Sequence, residues 1–312
     1  MESSNTQSSH IEMSPQRPKA LDNCACVYCG GALSAGNTSR EHVIGRRFVP
    51  KGKLHGQWNL ILNACRQCNS HKADLEDDIS AITLQPDAWG RYGHDDVGAI
   101  EDARRKANDA RSRRTRKTVK DSSEGINIRS SLGPGVNISF QFSSPPQIDD
   151  NRAFELARMH LMAFFYMQTY NRESRRGLYW PHGYHPVMTA NRSDWGNGLM
   201  AGFMRAVEHW DCRALAISAE GFFKLITRKH PSAETWAWAL EWNHNRRLIG
   251  FFGEREPAQA IVDRLPRLRK HTVYQAPNES LSYRTDVPLN EEDDTLFSVF
   301  GESAEPESAP HS

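Results

Sequence analysis

The sequence lacks any long apolar run. No segment approaches the roughly 20 consecutive apolar residues that a helix needs to cross a bilayer. The first twenty residues, MESSNTQSSHIEMSPQRPKA, have neither the basic start nor the apolar core of a secretory signal. We therefore expect a protein of the cytoplasm, in a reducing, intracellular environment.

Cysteine is scarce, with six residues in a chain of 312. That number is too small for a disulfide framework in so long a chain. Five of the six lie between Cys24 and Cys68, and such clustering favours a metal site. Cys212 stands alone, and we expect it to be a small buried apolar side chain rather than a nucleophile.

A strong net charge is also absent, because the formal value is only +1. The charges are nevertheless segregated along the chain. Residues 104–120 contain nine basic residues and one acid, Asp109, whereas only acidic formal charges occur from Asp286 onward. A basic stretch suits contact with phosphates, and an acidic tail would repel nucleic acid or shield that stretch. The alternative for both segments is a solvated, flexible chain.

Composition divides the chain into five segments, and its length suffices for two domains. The predicted segments are a disordered tail (1–22), a motif-bearing module (23–89), a basic linker or helix (90–125), an α+β domain of unknown role (126–285) and an acidic disordered tail (286–312). The fold class is therefore α+β, with a small module followed by a larger region of antiparallel strands and buried helices.

Hydrophobic periodicity predicts the elements of the larger region. Strands are expected in 126–142 around a Gly-Pro-Gly turn, and at 212–218, 221–229, 234–242 and 246–253, the last two joined by a turn at 243–245. Helices are expected at 149–171, at 193–210 with Ser193 as N-cap, and at 256–265, together with an exposed helix within 100–121.

Aromatic residues and histidines of the larger region are expected to be structural. Trp236, Trp238 and Trp242 alternate at the strand period, which favours core positions, with a base-stacking platform as the alternative. No spacing among the histidines makes a second metal site; they are His160, His182, His185, His230 and His244.

Two CxxC pairs define the metal site. Cys26 with Cys29, and Cys65 with Cys68, can each present two thiolates to one ion from a tight turn. Four thiolates in a tetrahedral array are typical of a structural zinc site, which contributes directly to folding. Cys24 is close enough to compete with Cys26, but the CxxC spacing favours Cys26.

The two pairs are separated by 35 residues, more than a plain zinc ribbon uses. The insert contains Arg40-Glu41-His42-Val43-Ile44 and Trp58-Asn59-Leu60-Ile61-Leu62, and the last thiol is followed by Asn69-Ser70-His71-Lys72. This combination resembles the HNH endonuclease family, whose fold is a ββα-metal finger. The resemblance covers about residues 26–76 and leaves the rest of the chain without a relative.

The resemblance implies a role for each matching residue. His42 would be the general base, Asn59 would orient the loop near it, and Glu41 with Asn69 would bind the catalytic cation, usually Mg²⁺. Lys72 would meet a phosphate or the leaving oxygen. Two alternatives stay open, since His71 can rival Asn69 as ligand and Asn63 can share the role of Asn59. Further phosphate-contact candidates are Arg40, Arg46, Arg47 and Arg66.

The expected activity is therefore cleavage of DNA, with RNA as a possible substrate, by an enzyme with one zinc and one catalytic cation. One alternative is a zinc-dependent protein that binds nucleic acid without cutting it. Another is a nuclease effector of a defence system, gated by the C-terminal region. That region can also make the protein a homo-oligomer.

Overall fold

The computed structural model describes residues 17–133, 136–180, 182–276 and 279–299. Helices and antiparallel sheets occur together in these residues, which confirms the predicted α+β class. The strands are β1 Lys19–Ala20, β2 Thr38–His42, β3 Leu60–Cys65, β4 Glu124–Gly133, β5 Val136–Ser144, β6 Gly183–Asn191, β7 Asp211–Ser218, β8 Phe223–Lys229, β9 Thr235–Trp242, β10 Arg246–Gly253, β11 His271–Ala276 and β12 Glu279–Tyr283. The helices are α1 Arg66–Thr83, α2 Val97–Asp109, α3 Asp150–Gln168, α4 Gly198–Val207 and α5 Arg255–Val262. None of these described helices has the length and hydropathy of a membrane span.

The N-terminal sheet has the order β1-β3-β2, with β2 antiparallel to β3 and β1 parallel to it. Helix α1 begins directly after β3 and runs back alongside β2. Its successive turns therefore meet successive parts of β2 and the loop that follows: Asn69 reaches Ser39, Lys72 reaches Glu41, and Glu76 reaches Gly45. This arrangement brings the predicted site residues of strand and helix together. The pairing of β1 lies within the segment predicted as a disordered tail, of which residues 1–16 lie outside the described chain.

A five-stranded antiparallel sheet forms the larger region, in the order β6-β10-β9-β8-β7. The predicted strands at 212–218, 221–229, 234–242 and 246–253 are confirmed, as is the turn at 243–245, where Asn243 and His244 have positive φ. The antiparallel pair β4–β5 is also confirmed, although residues 134 and 135 of its turn lie outside the described residues. The sequence does not predict strand β6, because His185 and Pro186 interrupt its apolar alternation.

The two faces of this sheet are buried in two hydrophobic cores. Trp238, Leu240 and Trp242 of β9 belong to one core, and Ala237 and Ala239 belong to the other. Trp238 and Trp242 are almost fully buried, which confirms their prediction as core residues. The first core also contains residues of the N-terminal module, including Val43, Ile44, Phe48, Trp58 and Leu75. The module and the sheet therefore share one continuous core.

Two predicted helices differ from the observed ones. The prediction of Ser193 as N-cap is wrong, because α4 begins at Gly198 and the side chain of Asn197 accepts the backbone N–H of Met200. The predicted helix within 100–121 ends at Asp109. The chain then forms a turn closed by a β-bridge between Arg111 and Thr118. The turn is rich in arginine and carries few apolar residues that could bury a helix face, which explains the early end.

The acidic segment after Asp286 contacts the sheet as far as the structure describes it. Leu296 is buried in the second core, and the carboxylate of Asp294 accepts hydrogen bonds from Arg247. Arg284 pairs with Asp194 just before this segment. The sequence predicts a disordered tail here and does not indicate these contacts, in which Arg247 of the sheet offsets the charge of Asp294. Residues 300–312 lie outside the described chain.

Arg247 is a fully buried cation at the centre of this contact. Its guanidinium donates to Oε2 of Glu241 at 2.7 and 2.9 Å and lies 3.7 Å from the ring centroid of Trp195. Replacing it with Met should lower the free energy of unfolding by about 3 kcal/mol, because Glu241 would remain buried without the cation that engages its Oε2, although Lys224 and His244 lie beside its Oε1. Urea denaturation would measure this loss. Asp294→Asn is the milder control, and equal stability of Arg247→Met and the unsubstituted chain would contradict the assignment.

Candidate active site

The four predicted zinc ligands lie together. Their sulfur atoms are all within 4.8 Å of one another, and Cys29 Sγ is 3.9 Å from Cys65 Sγ. A tetrahedral zinc with Zn–S bonds near 2.3 Å separates its sulfurs by about 3.8 Å, so the group fits the ion. This four-cysteine group could therefore hold a structural metal such as zinc.

Local backbone structure explains how the four thiols converge. Cys26 and Cys29 lie on a tight turn in which Gly30, at φ +73°, donates its N–H to the carbonyl of Cys26. Cys65 ends β3, and Cys68 lies in the first turn of α1. Cys24 is outside the group, with its Sγ 3.6 Å from the carbonyl oxygen of Ser174. The ambiguity between Cys24 and Cys26 is thereby resolved in favour of Cys26, and Cys212 is buried in the second core as predicted.

His42 ends β2 and is half-buried. Burial lowers the pKa of its imidazole, and the nearby Arg46, Arg40 and Lys72 lower it further. Arg46 donates toward Nε2 of His42 at 3.4 Å, and arginine carries no acceptor, so Nε2 is the accepting nitrogen. The imidazole is therefore neutral at neutral pH, with a lone pair at Nε2.

Glu41 precedes His42 and is only 3% exposed. Its Oε1 accepts hydrogen bonds from the hydroxyl of Tyr28 at 3.1 Å and from Lys72 at 2.9 Å. Burial raises the pKa of this carboxyl group, against the opposing effect of Lys72. Tyr28 lies between Cys26 and Cys29, so the turn that carries these two cysteines directly supports the carboxylate of Glu41.

Lys72 is buried between two carboxylates. Its ammonium is 2.9 Å from Glu41 Oε1 and 2.5 Å from Glu76 Oε1, and its side chain is 1% exposed. Glu76 in turn lies 3.8 Å from Nε2 of His160 on α3. The family resemblance suggests a phosphate contact for Lys72. In the structure Lys72 instead neutralises Glu41, which precedes His42, and Glu76, which accepts the N–H of Gly45 in the loop after His42.

Asn59 fixes the loop that follows His42. Its Oδ1 accepts the N–H of Ile44 at 3.1 Å, and its Nδ2 donates to the carbonyl of Ile44 at 2.9 Å. Asn63 instead pairs with Asn23, through its N–H at 2.7 Å and its Nδ2 at 3.1 Å. The structure thus brings Asn59, and not Asn63, to the backbone next to His42.

Asn69 and His71 lie in different surroundings. Asn69 faces the same cleft as His42, and its Nδ2 donates to the hydroxyl of Ser39 at 2.6 Å. His71 contacts Glu155 of α3 at 2.9 Å, and both of these side chains are 47% exposed. Of the two rival ligands, only Asn69 lies beside His42 and Glu41.

The cleft above these residues has a volume of about 760 Å³. Three of the predicted phosphate-contact residues, Arg40, Arg46 and Arg47, line it, and none of the three forms an ion pair within the described residues. Arg66 is exposed outside this lining. Helix α2 supplies the opposite wall with Arg105 and Lys106, so part of the predicted basic stretch reaches the site. The cleft can accept an anionic chain beside a neutral imidazole.

Three residues of the site were not anticipated from the sequence. Glu76 follows Lys72 by four residues, so the i,i+4 pairing of opposite charges could have indicated it. Tyr28 gives no local signal. Lys106 is far from His42 in sequence but directly holds the loop after it. Its Nζ donates to the carbonyls of Arg47 and Val49 and to the hydroxyl of Ser80, at 2.6, 3.0 and 3.0 Å. Burial lowers its pKa to about 8.

His160 makes stability depend on pH. The ring is fully buried against Phe48, Phe223 and Trp242, and burial lowers its pKa to about 4, against the opposing effect of Glu76. The unfolded chain binds a proton below about pH 6.5, whereas the folded chain resists until about pH 4. The free energy of unfolding should therefore fall by up to about 3 kcal/mol between pH 6.5 and 4.

Urea denaturation of the unsubstituted chain and of His160→Phe, at several pH values in this window, would measure the difference. Groups that do not contact His160 titrate alike in both proteins, so the difference between the two pH profiles reports His160 together with Glu76, whose pKa His160 lowers. Parallel pH profiles for the two proteins would contradict the assignment.

Comparisons of the chain with protein-family models, with curated proteins and with solved structures find no match.

Proposed function

We propose that this chain is a metal-dependent endonuclease of the HNH type that hydrolyses phosphodiester bonds of DNA. The observation that carries the proposal is the setting of His42. A neutral imidazole with an accepting Nε2 opens into a cleft lined by unpaired arginines, and the four-cysteine group and Asn59 support the surrounding backbone.

The chemistry of phosphodiester hydrolysis matches this setting. The reaction needs a deprotonated water in line with the leaving oxygen, and positive charge around the phosphate as its negative charge develops. Arg46 donates to Nε2 of His42, so His42 is suited to take the proton of the attacking water at this nitrogen once Arg46 turns to a phosphate oxygen. Arg40, Arg46 and Arg47 are suited to hold the phosphate oxygens, because no acid in the described chain neutralises them.

A catalytic cation would be held by Glu41 and Asn69, with waters completing its shell. The donor set fits a hard cation such as Mg²⁺, since both side chains offer oxygen ligands. Nδ2 of Asn69 donates a hydrogen bond to the hydroxyl of Ser39 and is thereby turned toward the protein. Oδ1 of Asn69 is left as the atom that could bind the cation. When bound, the cation would supply charge stabilisation at the phosphate and at the leaving oxygen.

Incubation with supercoiled plasmid tests the proposal. Protein that contains its zinc should nick or linearise the plasmid with added Mg²⁺ or Mn²⁺ and should not do so when neither cation is added. Single-stranded DNA, duplex DNA and RNA of one sequence, tested side by side, would define the substrate. If no substrate is cut with either cation, the chain is not an endonuclease of this kind.

A second candidate function is zinc-dependent binding of nucleic acid without cleavage. One observation favours it: Oε1 of Glu41 is already engaged by Tyr28 and Lys72, which reduces its capacity to hold a cation. This function predicts salt-sensitive binding that is unchanged in His42→Ala, and no cleavage with any metal. The two candidates therefore differ in the same pair of assays.

A further inference from the structure

A second cavity, of about 610 Å³, lies on the other side of α2. Arg104, Ala107 and Asn108 of this helix line the second cavity, whereas Arg105, Lys106 and Asp109 line the cleft of His42. The helix is thus a wall of about 10–12 Å between the two concavities. A chain that leaves the cleft over α2 would enter the second cavity.

The second cavity carries positive charge that the protein does not neutralise. Arg104 and Lys120 line it, both are exposed, and neither forms an ion pair within the described residues. The acid in its lining, Asp87, is engaged by Arg91, with the guanidinium 2.9 Å from Oδ2. The cavity is therefore suited to an anionic ligand.

Trp89 lies at the rim of this cavity: its sequence neighbours Ala88 and Gly90 line the cavity, although Trp89 itself does not. Its side chain is 80% exposed, the largest value among the exposed large apolar residues of the described chain. In contrast, Trp238 and Trp242 of the sheet are buried. An exposed tryptophan lacks the apolar burial that stabilises most of these side chains. Its exposure is therefore typical of a residue that contacts a ligand.

The turn that presents Trp89 is held in place by its own hydrogen bonds. Asp87 Oδ1 accepts the N–H groups of Trp89 and Arg91 at 2.8 and 2.9 Å, and the N–H of Gly90 donates to the carbonyl of Asp87 at 3.0 Å. Gly90, at φ +77°, permits the reversal. The indole is therefore presented from a fixed backbone rather than from a loose loop.

We propose that Trp89, Arg104 and Lys120 form a binding surface for single-stranded nucleic acid, which continues from the cleft across α2. An exposed aromatic ring beside unpaired cations is the combination that binds single strands, because the face of a base is free to stack only when the base is unpaired from its duplex. This inference rests on the proposed function, because the surface is taken to continue from the cleft in which cleavage would occur. It implies a substrate that has a single-stranded segment.

Fluorescence anisotropy without added Mg²⁺ or Mn²⁺ tests this surface without requiring cleavage and leaves the metal of the four-cysteine group in place. The probes are a labelled oligothymidine 12-mer and a labelled duplex of equal length, and all variants carry His42→Ala. Trp89→Ala should weaken binding of the single strand by roughly 5- to 100-fold and leave duplex binding within about 2-fold. Trp89→Phe should keep most of the affinity, because its ring still stacks.

The charges are tested by the salt dependence of single-strand binding. The double variant Arg104→Ala/Lys120→Ala should reduce the slope of log affinity against log salt by about 1.4, from two lost phosphate contacts. Arg267→Ala/Lys270→Ala removes the same two residue types from exposed positions elsewhere and should keep the slope.

Three results would overturn the surface: unchanged single-strand binding in Trp89→Ala, equal losses for single strand and duplex, or equal slope changes in the two double variants. A plasmid assay of the unsubstituted chain separates this outcome from the nuclease proposal. If the plasmid is cut but Trp89→Ala binds single strands normally, only the proposed binding surface is refuted. If Trp89→Ala loses single-strand binding but the unsubstituted chain cuts no plasmid, only the nuclease proposal is refuted.

Discussion

Replacing Cys65 with Ser, or removing the metal with a strong chelator, is expected to unfold the N-terminal module. Binding of a structural zinc by four cysteines is worth about 10–16 kcal/mol in small zinc domains, which is as large as the whole stability of an ordinary domain. A metal held by the four cysteines would join the turn at Cys26 to the start of α1, and Tyr28 from that turn supports Glu41. Loss of the metal should therefore remove both the fold and the site.

Native mass spectrometry should find one zinc per chain, and thermal unfolding followed by circular dichroism should show the loss of stability. Cys24→Ser is the matched control, because Cys24 lies next to the group in sequence but outside it in space. That variant should keep its zinc and its melting temperature. A Cys65→Ser protein with unchanged zinc content and unchanged melting would exclude a site built from these four cysteines.

Replacing His42 with Ala should reduce the rate of DNA cleavage by about 10²- to 10⁴-fold, the range that a general base contributes. The loss should appear in kcat with little change in binding, since the arginines of the cleft remain. The change leaves only a half-buried space, so the variant should fold. Single-turnover cleavage of a labelled duplex with Mg²⁺ measures the rate.

His71→Ala provides the control, because His71 contacts Glu155 on the far side of α1 and should leave cleavage within a few-fold. Asn69→Ala should behave like His42→Ala if Asn69 is the cation ligand. A His42→Ala protein that cuts as fast as the unsubstituted chain would refute the mechanism. If His71→Ala is inactive and Asn69→Ala is active, the two ligand assignments are exchanged.

The sequence was informative where chemistry depends on short spacing. The CxxC pairs predicted the four-cysteine group because four thiols at that spacing have few other uses, and hydrophobic patterning predicted β7 to β10. Capping was less predictable, because Ser193 and Asn197 are both good N-caps and only packing of α4 against Phe251 selects the second.

Long-range contacts explain what the sequence did not reveal. Lys106 reaches the carbonyl of Arg47 across 59 positions, and Asp294 reaches Arg247 across 47. No local pattern marks either pair. The exposure of Trp89 is similarly invisible in composition, because a tryptophan beside Pro86 and Gly90 is as consistent with a buried turn as with a presented ring.

The shared core has a consequence for whether the N-terminal module could be moved to another protein. Phe48 packs on Trp242, the carbonyl of Phe48 accepts the side-chain N–H of Asn243, and Ser218 donates to the carbonyl of Trp58. The residues that shape the loop after His42 thus lie against the sheet itself. An excised fragment of the first hundred residues would expose this apolar face and lose the shape of its cleft. The N-terminal module is therefore not expected to fold as an independent unit. Substitutions in the sheet should alter the shape of its cleft as directly as substitutions beside His42.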